Sequence, residues 1–412
     1  MIPLMARLTG ASLLTFACAT AAATEPRGVY HLASPGSLAV AKQRIAAGDE
    51  VLQRALEHLI GSADELLATP PPSVTAKEQP APSGDPHDYA SNAPYYWPNP
   101  DTLDGLPYVR RDGRRNPESA DERWNDRNRV SLLGYACETL GLAWYFTGRQ
   151  VYADRAAHFA RTWFVDPATR MRPELRYAQA VRGVVDGRAA GVLEGRHIGT
   201  AIDALGLIAD ADSLSASDRQ AIDDWLDAYL EWLQTAGIAQ AEGRAANNHG
   251  TYYDVQLVQL ALAAGRREFA VSVLEAAKQR RIEAQFAPDG SQPHELSRTR
   301  SLSYTEFNLQ AFCDLATLAD HVGVDLWHYE SADGRSIRRG LEFLAPFVAV
   351  PPRRWPHEQI TPFNASAAVP LFHRARLAYD DPGFARIVAM HPDAGDRFRL
   401  LHVIPPTLSH AP

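Results

Sequence analysis

The chain has 412 residues, 46% of them hydrophobic and 22% charged, proportions that suit a globular protein with a sizeable core. Its formal net charge of −8 argues against a general nucleic-acid binder, which is normally basic. It leaves room for a polyanionic ligand held in a local basic cleft.

Residues 1–23 read as a secretory signal. Arg7 supplies the positive charge, GASLLTFACATAAA the apolar stretch, and Ala21, Ala22 and Ala23 the small residues for cleavage. The apolar run is too short to span a bilayer. A lipoprotein reading through Cys18 is disfavoured by Thr15 and Phe16 ahead of Ala17. The expected location is periplasmic or secreted, with residues 24–412 forming one domain and no membrane partner beyond the signal.

Residues 69–117 are rich in Pro, Gly, Ser, Asp and Asn. Loops of this length are usually functional or disordered. Disorder does not normally carry Tyr89, Tyr95, Tyr96, Trp97 and Tyr108 so close together. An ordered loop that drapes aromatic side chains over a cleft is therefore expected.

Beyond it, apolar residues recur at spacings of three and four, and helices are predicted over 132–146, 153–164 and 198–208. In SDRQAIDDWLDAYLEWLQTAG the pattern runs from Ile222 to Leu233, with Ser217 expected as the cap and Gly237 as the stop. Further helices are predicted over 255–264, 269–277, 307–319 and 337–348. The runs 140–146 and 255–264 are apolar on most sides, which places them in an inner layer. No comparable set of alternating strands appears. The expected fold is all-α, an incomplete α/α toroid of helical hairpins. Cys137 and Cys313 fall inside apolar helical patterns and are expected as buried free thiols.

Two polar segments interrupt this apolar background. In ANNHGTYYD, residues 246–254, Asn248 is expected to cap the helix through 255–264, and His249 to lie in its first turn. A helix start also presents free N–H groups to an anion, so the same residues read equally as half of an active site. In PDGSQPHELSRTRSLSY, residues 288–304, a turn leads into Glu295, Arg298, Arg300 and Tyr304. The bland reading is a solvated loop with a Glu295–Arg298 salt bridge. HELSR lacks the second histidine of a zinc protease signature.

An Asn, a His, an Arg and a Tyr together suit β-elimination from a uronic acid. Donors that neutralise the carboxylate stabilise the dianion formed when H5 leaves. A tyrosine, with an ordinary pKa of about 10, serves as base if a nearby Arg stabilises its phenolate. In β-D-mannuronate and β-D-glucuronate H5 and O4 share one ring face, so one tyrosine can take the proton and deliver it. No metal or organic cofactor is required.

NNHGTYYD followed by DGSQPHELSRTRSLSY resembles the alginate lyase domain family, helical polysaccharide lyases of uronans. HDYASNAPYYWPNPDTLDGLPYVRRDG and RYAQAVRGVVDGR resemble blocks of its polymannuronate and glucuronan lyase branch, so the similarity spans roughly residues 70–360. The resemblance implies that Asn248 and His249 neutralise the carboxylate, that Tyr304 is base and acid, and that Arg298 assists it. Arg300, one helical turn from Tyr304, is the rival for that last role. The implied substrate contacts are Tyr95, Tyr96, Trp97, Arg182, Tyr253, Glu295 and Arg300. The partner is an anionic polysaccharide or oligosaccharide. Residues 172–196, with Val181, Arg182 and AAGVLEGRH, depart from the family pattern and leave the uronan unspecified. Clusters at Arg110, Arg111, Arg114 and Arg115 and at Arg176, Arg182 and Arg188 suit carboxylates, and the loop RRWPHEQ, residues 353–359, is expected to reach the cleft.

Two other classes fit less well. A glycoside hydrolase of similar fold needs two carboxylates at the scissile bond, and Asp186, Glu194, Asp254 and Glu295 are its candidates. A non-catalytic carbohydrate-binding protein would keep the arginines and aromatics but show no turnover.

Overall fold

Two helices precede the long loop: α1 (Ser37–Ala46) and α2 (Glu50–Ala68). The computed structural model describes residues 28–392 and 394–403, so the leader expected over 1–23, with Cys18, lies outside the described residues. Neither helix is among those predicted, although Leu52, Ala55, Leu59, Ala63 and Leu66 carry the right spacing and Asp49 caps α2 by accepting the Val51 and Leu52 amides.

The loop itself is ordered by short strands. β1 (Ala90–Asn92) is followed by β2 (Tyr96–Trp97) and β3 (Val109–Arg110), which pair antiparallel. After it come α3 (Arg127–Thr147), α4 (Gln150–Ala160), β4 (Tyr177–Ala180) and α5 (Arg196–Ala204). β4 pairs in parallel with β1, and a 3₁₀ segment, Ala189–Gly195, leads from it into α5. The rest of the chain is α6 (Ala216–Thr235), α7 (Gly237–Gly243), α8 (Asn248–Ala263), α9 (Arg267–Ala277), α10 (Pro293–Leu296), α11 (Ser301–Asp320), α12 (Ile337–Val348), α13 (Val369–Tyr379), α14 (Pro382–Met390) and α15 (Asp396–Leu401). The protein is all-α apart from the four two- to four-residue strands among the described residues.

Helices α3, α5, α8 and α11 pack one against the next. Of α8, only His249 and Ala263 escape full burial, and its buried polar residues include Asp254, held by Arg280 and Arg281. At position 134 of α3 a Cβ would stand 2.7 Å from the His197 carbonyl oxygen, so the glycine there admits α5 at close range. α15 packs on α1, α2 and α13, returning the C-terminal helices to the N-terminal pair.

Boundaries differ from expectation where a better cap lies nearby. Ser215, not Ser217, caps α6, because Asp218 reciprocates by accepting the Ser215 amide. Gly237 opens α7 instead of closing α6. Cys137 and Cys313 are buried free thiols, one on α3 and one on α11. No helix among the described residues is long and apolar enough to cross a membrane.

Candidate active site

The start of α8 presents Asn248 and His249 from a braced position. Asn247 precedes it in extended backbone and accepts the His249 amide at 3.3 Å, so the cap is Asn247 and Asn248 is the first helical residue, one position earlier than expected. The buried Arg281 donates to the carbonyls of Gly243 (2.7 Å) and Ala245 (2.9 Å) and to Asp254 (2.8 Å), fastening the incoming chain to the helix. A Cβ at position 250 would lie 2.3 Å from Arg281 Nη1, so this brace needs the glycine.

His249 Nδ1 lies 2.6 Å from Oε1 of the buried Glu242 on α7. A carboxylate only accepts, so Nδ1 carries the proton and Nε2 is left for a ligand. Asn248 is held differently. Its backbone N–H donates to Glu295 Oε1 at 2.7 Å, and its Nδ2 reaches Oε1 at 3.0 Å and Oε2 at 2.8 Å. Its Oδ1 is buried without a partner. Toward a ligand Asn248 therefore offers an acceptor, not the donor expected of it. Glu295, fully buried, is the clamp on Asn248; it does not line the cleft and makes no ion pair with Arg298. Burial pushes its carboxyl up, while the Asn248 hydrogen bonds pull it down.

Tyr304 stands in the first turn of α11. The start of that helix is tied down by the stretch 353–359: Gln359 Oε1 accepts the Leu302 and Ser303 amides, and the Glu358 carbonyl accepts that of Ser301 at 3.1 Å. That stretch braces α11 from outside and does not line the cleft, contrary to expectation. The Tyr304 hydroxyl donates to the Tyr95 hydroxyl at 2.8 Å, and the Arg298 guanidinium sits 3.8 Å from the centre of its ring. Burial pushes the phenol well above its ordinary range and Tyr95 adds to this, against the pull of Arg298, so the free enzyme holds Tyr304 protonated at neutral pH.

The two rival arginines divide. Arg298 is gripped by Asp112 through Nε (3.1 and 3.2 Å) and Nη2 (2.8 Å). Burial pushes the Asp112 carboxyl up, but Arg298, Thr299 and Arg110 donate to it and hold it well below the usual range. Arg300 has a buried Nε with no partner and no carboxylate within ion-pair reach among the described residues.

These groups line a single cleft of about 480 Å³, with Tyr95 and Tyr96 on one wall and Asn248, His249, Arg298, Arg300 and Tyr304 on another. Trp97 is outside it, donating to the Arg114 carbonyl at 2.9 Å. Arg182 lines a separate cavity, with its guanidinium over Trp124 and Tyr108. Tyr253 is a packing residue, buried against Gly243 with its hydroxyl donating to Leu233 O at 2.7 Å.

Sequence reading missed Arg127, Arg196, His197 and Glu306, all of which line the cleft, and the clamps Glu242 and Asp112. Glu306, two residues past Tyr304, is the one signal that proximity to a motif offered. Arg127 is paired with Glu194, which also accepts from Tyr89 and Ser91 at 2.7 Å. Of the four acids proposed for hydrolysis only Glu194 lines the cleft, and those donors already saturate it. Asp254 is bound by Arg280 and Arg281, Glu295 by Asn248, and Asp186 lies in the separate cavity. Among the described residues no group of three or more His, Cys, Asp or Glu is placed to hold a metal ion.

Comparison with known proteins identifies the family. A family profile described as alginate lyase matches residues 73–355. No curated protein matches the chain. The crystal structure of an alginate lyase from Bacteroides ovatus is 37% identical, with a TM-score of 0.86 over 91% of this chain and 99% of that one. Alginate lyase A1-III from Sphingomonas species A1 shares the fold at 16% identity, with a TM-score of 0.53 over 84% of this chain and 95% of its own. A variant of A1-III solved with a tetrasaccharide gives a TM-score of 0.59, covering 92% of this chain and 98% of that one, again at 16% identity. With most of its length matched by the family profile and nearly all of it by a 37% identical structure, the chain belongs to the alginate lyase family of polysaccharide lyases.

Proposed function

We propose that the protein is an exported lyase of β-1,4-linked uronans, polymannuronate, mixed alginate or glucuronan, acting by syn β-elimination. The observation that carries this reading is the meeting of Tyr304, His249 and the unpaired Arg300 in one cleft. Arg300 donates to the carboxylate of the reacting sugar and stabilises the dianion, joined by His249 when its Nε2 carries a proton as well as its Nδ1. Asn248, its amide hydrogens engaged by Glu295, accepts from a sugar hydroxyl. Tyr304 first releases its phenolic proton to solvent; the phenolate oxygen then removes H5, the C5–H electrons form the C4–C5 double bond, and the C4–O4 bond breaks. The same proton then passes from Tyr304 to O4, leaving a 4,5-unsaturated uronyl end. Binding of a tetrasaccharide by the A1-III variant supports an oligosaccharide partner, and the leader pattern at residues 1–23 supports export.

A second division of labour is favoured by the protonated state of Tyr304 and by the Glu242–His249 bond. In it, His249 Nε2 takes H5 and Tyr304 only donates to O4. The two differ in sign at alkaline pH. If Tyr304 is the base, kcat keeps rising as the phenol ionises; if it is only the acid, kcat falls.

The test is to incubate the protein with a panel of uronans and follow near-ultraviolet absorbance from the unsaturated ends. Wild type should produce absorbance on at least one, and Tyr304→Phe should lose it, by at least about 100-fold, with an unchanged circular dichroism spectrum. New reducing ends without absorbance would mean hydrolysis, and near-wild-type turnover in a folded Tyr304→Phe protein would sink the mechanism.

A further inference from the structure

Arg196 is a cleft residue that the proposed reaction does not use. It lies at the start of α5, with its guanidinium carbon 5.8 Å from the Tyr252 ring centre and 5.6 Å from that of Phe307. Its one hydrogen bond is a long one, Nη1 to the Leu193 carbonyl at 3.3 Å. No carboxylate lies within ion-pair reach of it among the described residues. Of the two acids in the cleft, Glu194 is taken by Arg127, Tyr89 and Ser91, and Glu306 makes no ion pair. A guanidinium enclosed by two aromatic rings and left without a counter-ion is a receptor for an anion.

Helix geometry says where that anion would sit. Tyr252 follows His249 by three residues on α8, and Phe307 follows Tyr304 by three residues on α11. Residues three apart are neighbours on one helix face, about 5 Å along the axis. Arg196 therefore lies one helical turn deeper than the reacting pair, between the two helices that carry it. One turn is also the scale of one pyranose ring. A uronan carries a carboxylate on every ring, so the anion expected at that depth is that of the adjoining sugar.

We propose that Arg196 binds the carboxylate of the sugar next to the one undergoing elimination, so that the enzyme requires two consecutive uronates. This rests on the uronan lyase reading above. It explains a cation in the cleft with no catalytic duty, and it makes the enzyme discriminate against chains in which uronic acids alternate with neutral sugars. Removing the guanidinium should raise KM by about 10- to 100-fold, the usual cost of losing a charge-assisted contact, with kcat at saturation largely kept.

The test uses polymannuronate in which a rising fraction of carboxyls has been reduced to hydroxymethyl groups at random. If two adjacent carboxylates are required, wild-type kcat/KM falls as the square of the fraction retained; if one suffices, it falls linearly. At half reduction wild type should lose about fourfold relative to the intact polymer and Arg196→Gln about twofold, because the variant no longer reads the second acid. Arg196→Lys, which keeps a cation and serves as the folding control, should restore the steeper dependence. The same dependence in wild type and Arg196→Gln would overturn the inference while leaving the lyase reading intact. Absence of unsaturated product from wild type on the intact polymer and on every other uronan would overturn both.

Discussion

Glu306 shows how one residue couples the cleft to pH. It sits two residues beyond Tyr304, lines the cleft and makes no ion pair, and burial pushes its carboxyl up to about 8. Burial is the cause of that shift, and it pushes the neighbouring Tyr252 phenol and Cys313 thiol up as well. Below pH 8 Glu306 is an uncharged hydrogen-bond donor; above it, the cleft gains a negative charge that repels a uronate. KM should therefore rise as pH passes 8, and Glu306→Gln should flatten that rise in a steady-state pH series. The stability sign follows from the same shift. The folded value lies above the ordinary 4.5, so the folded state keeps a proton that the unfolded chain releases, and stability is lost as pH climbs from about 4.5 to 8. Glu306→Gln should raise Tm at pH 8 and leave it nearly unchanged at pH 4, as calorimetry would record. Residues of this kind were hard to read in the sequence. Asn248, His249, Arg298 and Tyr304 were legible because two short polar motifs interrupt apolar helices with a chemically coherent set. The duties of Glu295 and Asp112 depend on partners 47 and 186 residues away, a distance no local pattern spans. Tyr253 and Arg182 were misassigned for the converse reason: an aromatic or a guanidinium near a motif reads as a contact until its side chain is seen to point elsewhere.

At the scale of elements, the aromatic loop is a strap fastened to the helix that carries the reactive phenol. Tyr95 accepts from Tyr304, while Asp112 accepts from Arg298 and from the Thr299 amide at 3.3 Å. The β2–β3 pairing sets Tyr96 opposite Arg110 and holds the strap's two fastenings in register. Composition revealed that this segment was ordered, since five aromatics in a Pro- and Gly-rich stretch need something to pack on. Composition could not reveal the fastening, because Asp112 reads as one more acid in a turn. Asp112→Ala removes the grip on a partly buried guanidinium and frees the strap at once. Leaving Arg298 without its carboxylate should cost about 1–3 kcal/mol, and misplacing it over Tyr304 should lower kcat by about 10-fold or more. Hydrogen exchange should increase through residues 95–112 and at the start of α11, and remain unchanged in α3 and α5. Unaltered exchange across the strap would show that Tyr95 and the strand pairing suffice to hold it.

Across the whole molecule, the periodic helices were the most legible feature, since a helix apolar on all sides has no place but an inner layer. The cleft's charge was the least legible, because it reverses the sign of the chain. The net charge is −8, yet seven arginines line the cleft, and Arg115, Arg188, Arg196 and Arg300 have no ion-pair partner among the described residues. The two fields act over different distances. Eight charges seen from about 25 Å in water repel each substrate charge by about 1 kcal/mol when unscreened. Screening shortens the reach of that repulsion from about 30 Å at 0.01 M salt to about 8 Å at 0.15 M. Contacts inside the cleft operate within hydrogen-bond distance, partly shielded from solvent, and persist to higher salt. Raising salt from 0.01 M should therefore first increase kcat/KM on a polymeric uronan as the outer repulsion fades. Toward 1 M it should decrease kcat/KM as the arginine contacts weaken in turn. A neutral reporter of the fold, such as Tm, should not follow the same curve. A monotonic fall from the lowest salt would mean that the cleft's positive field already dominates at the distance of encounter, and that the acidic exterior plays no part in substrate capture.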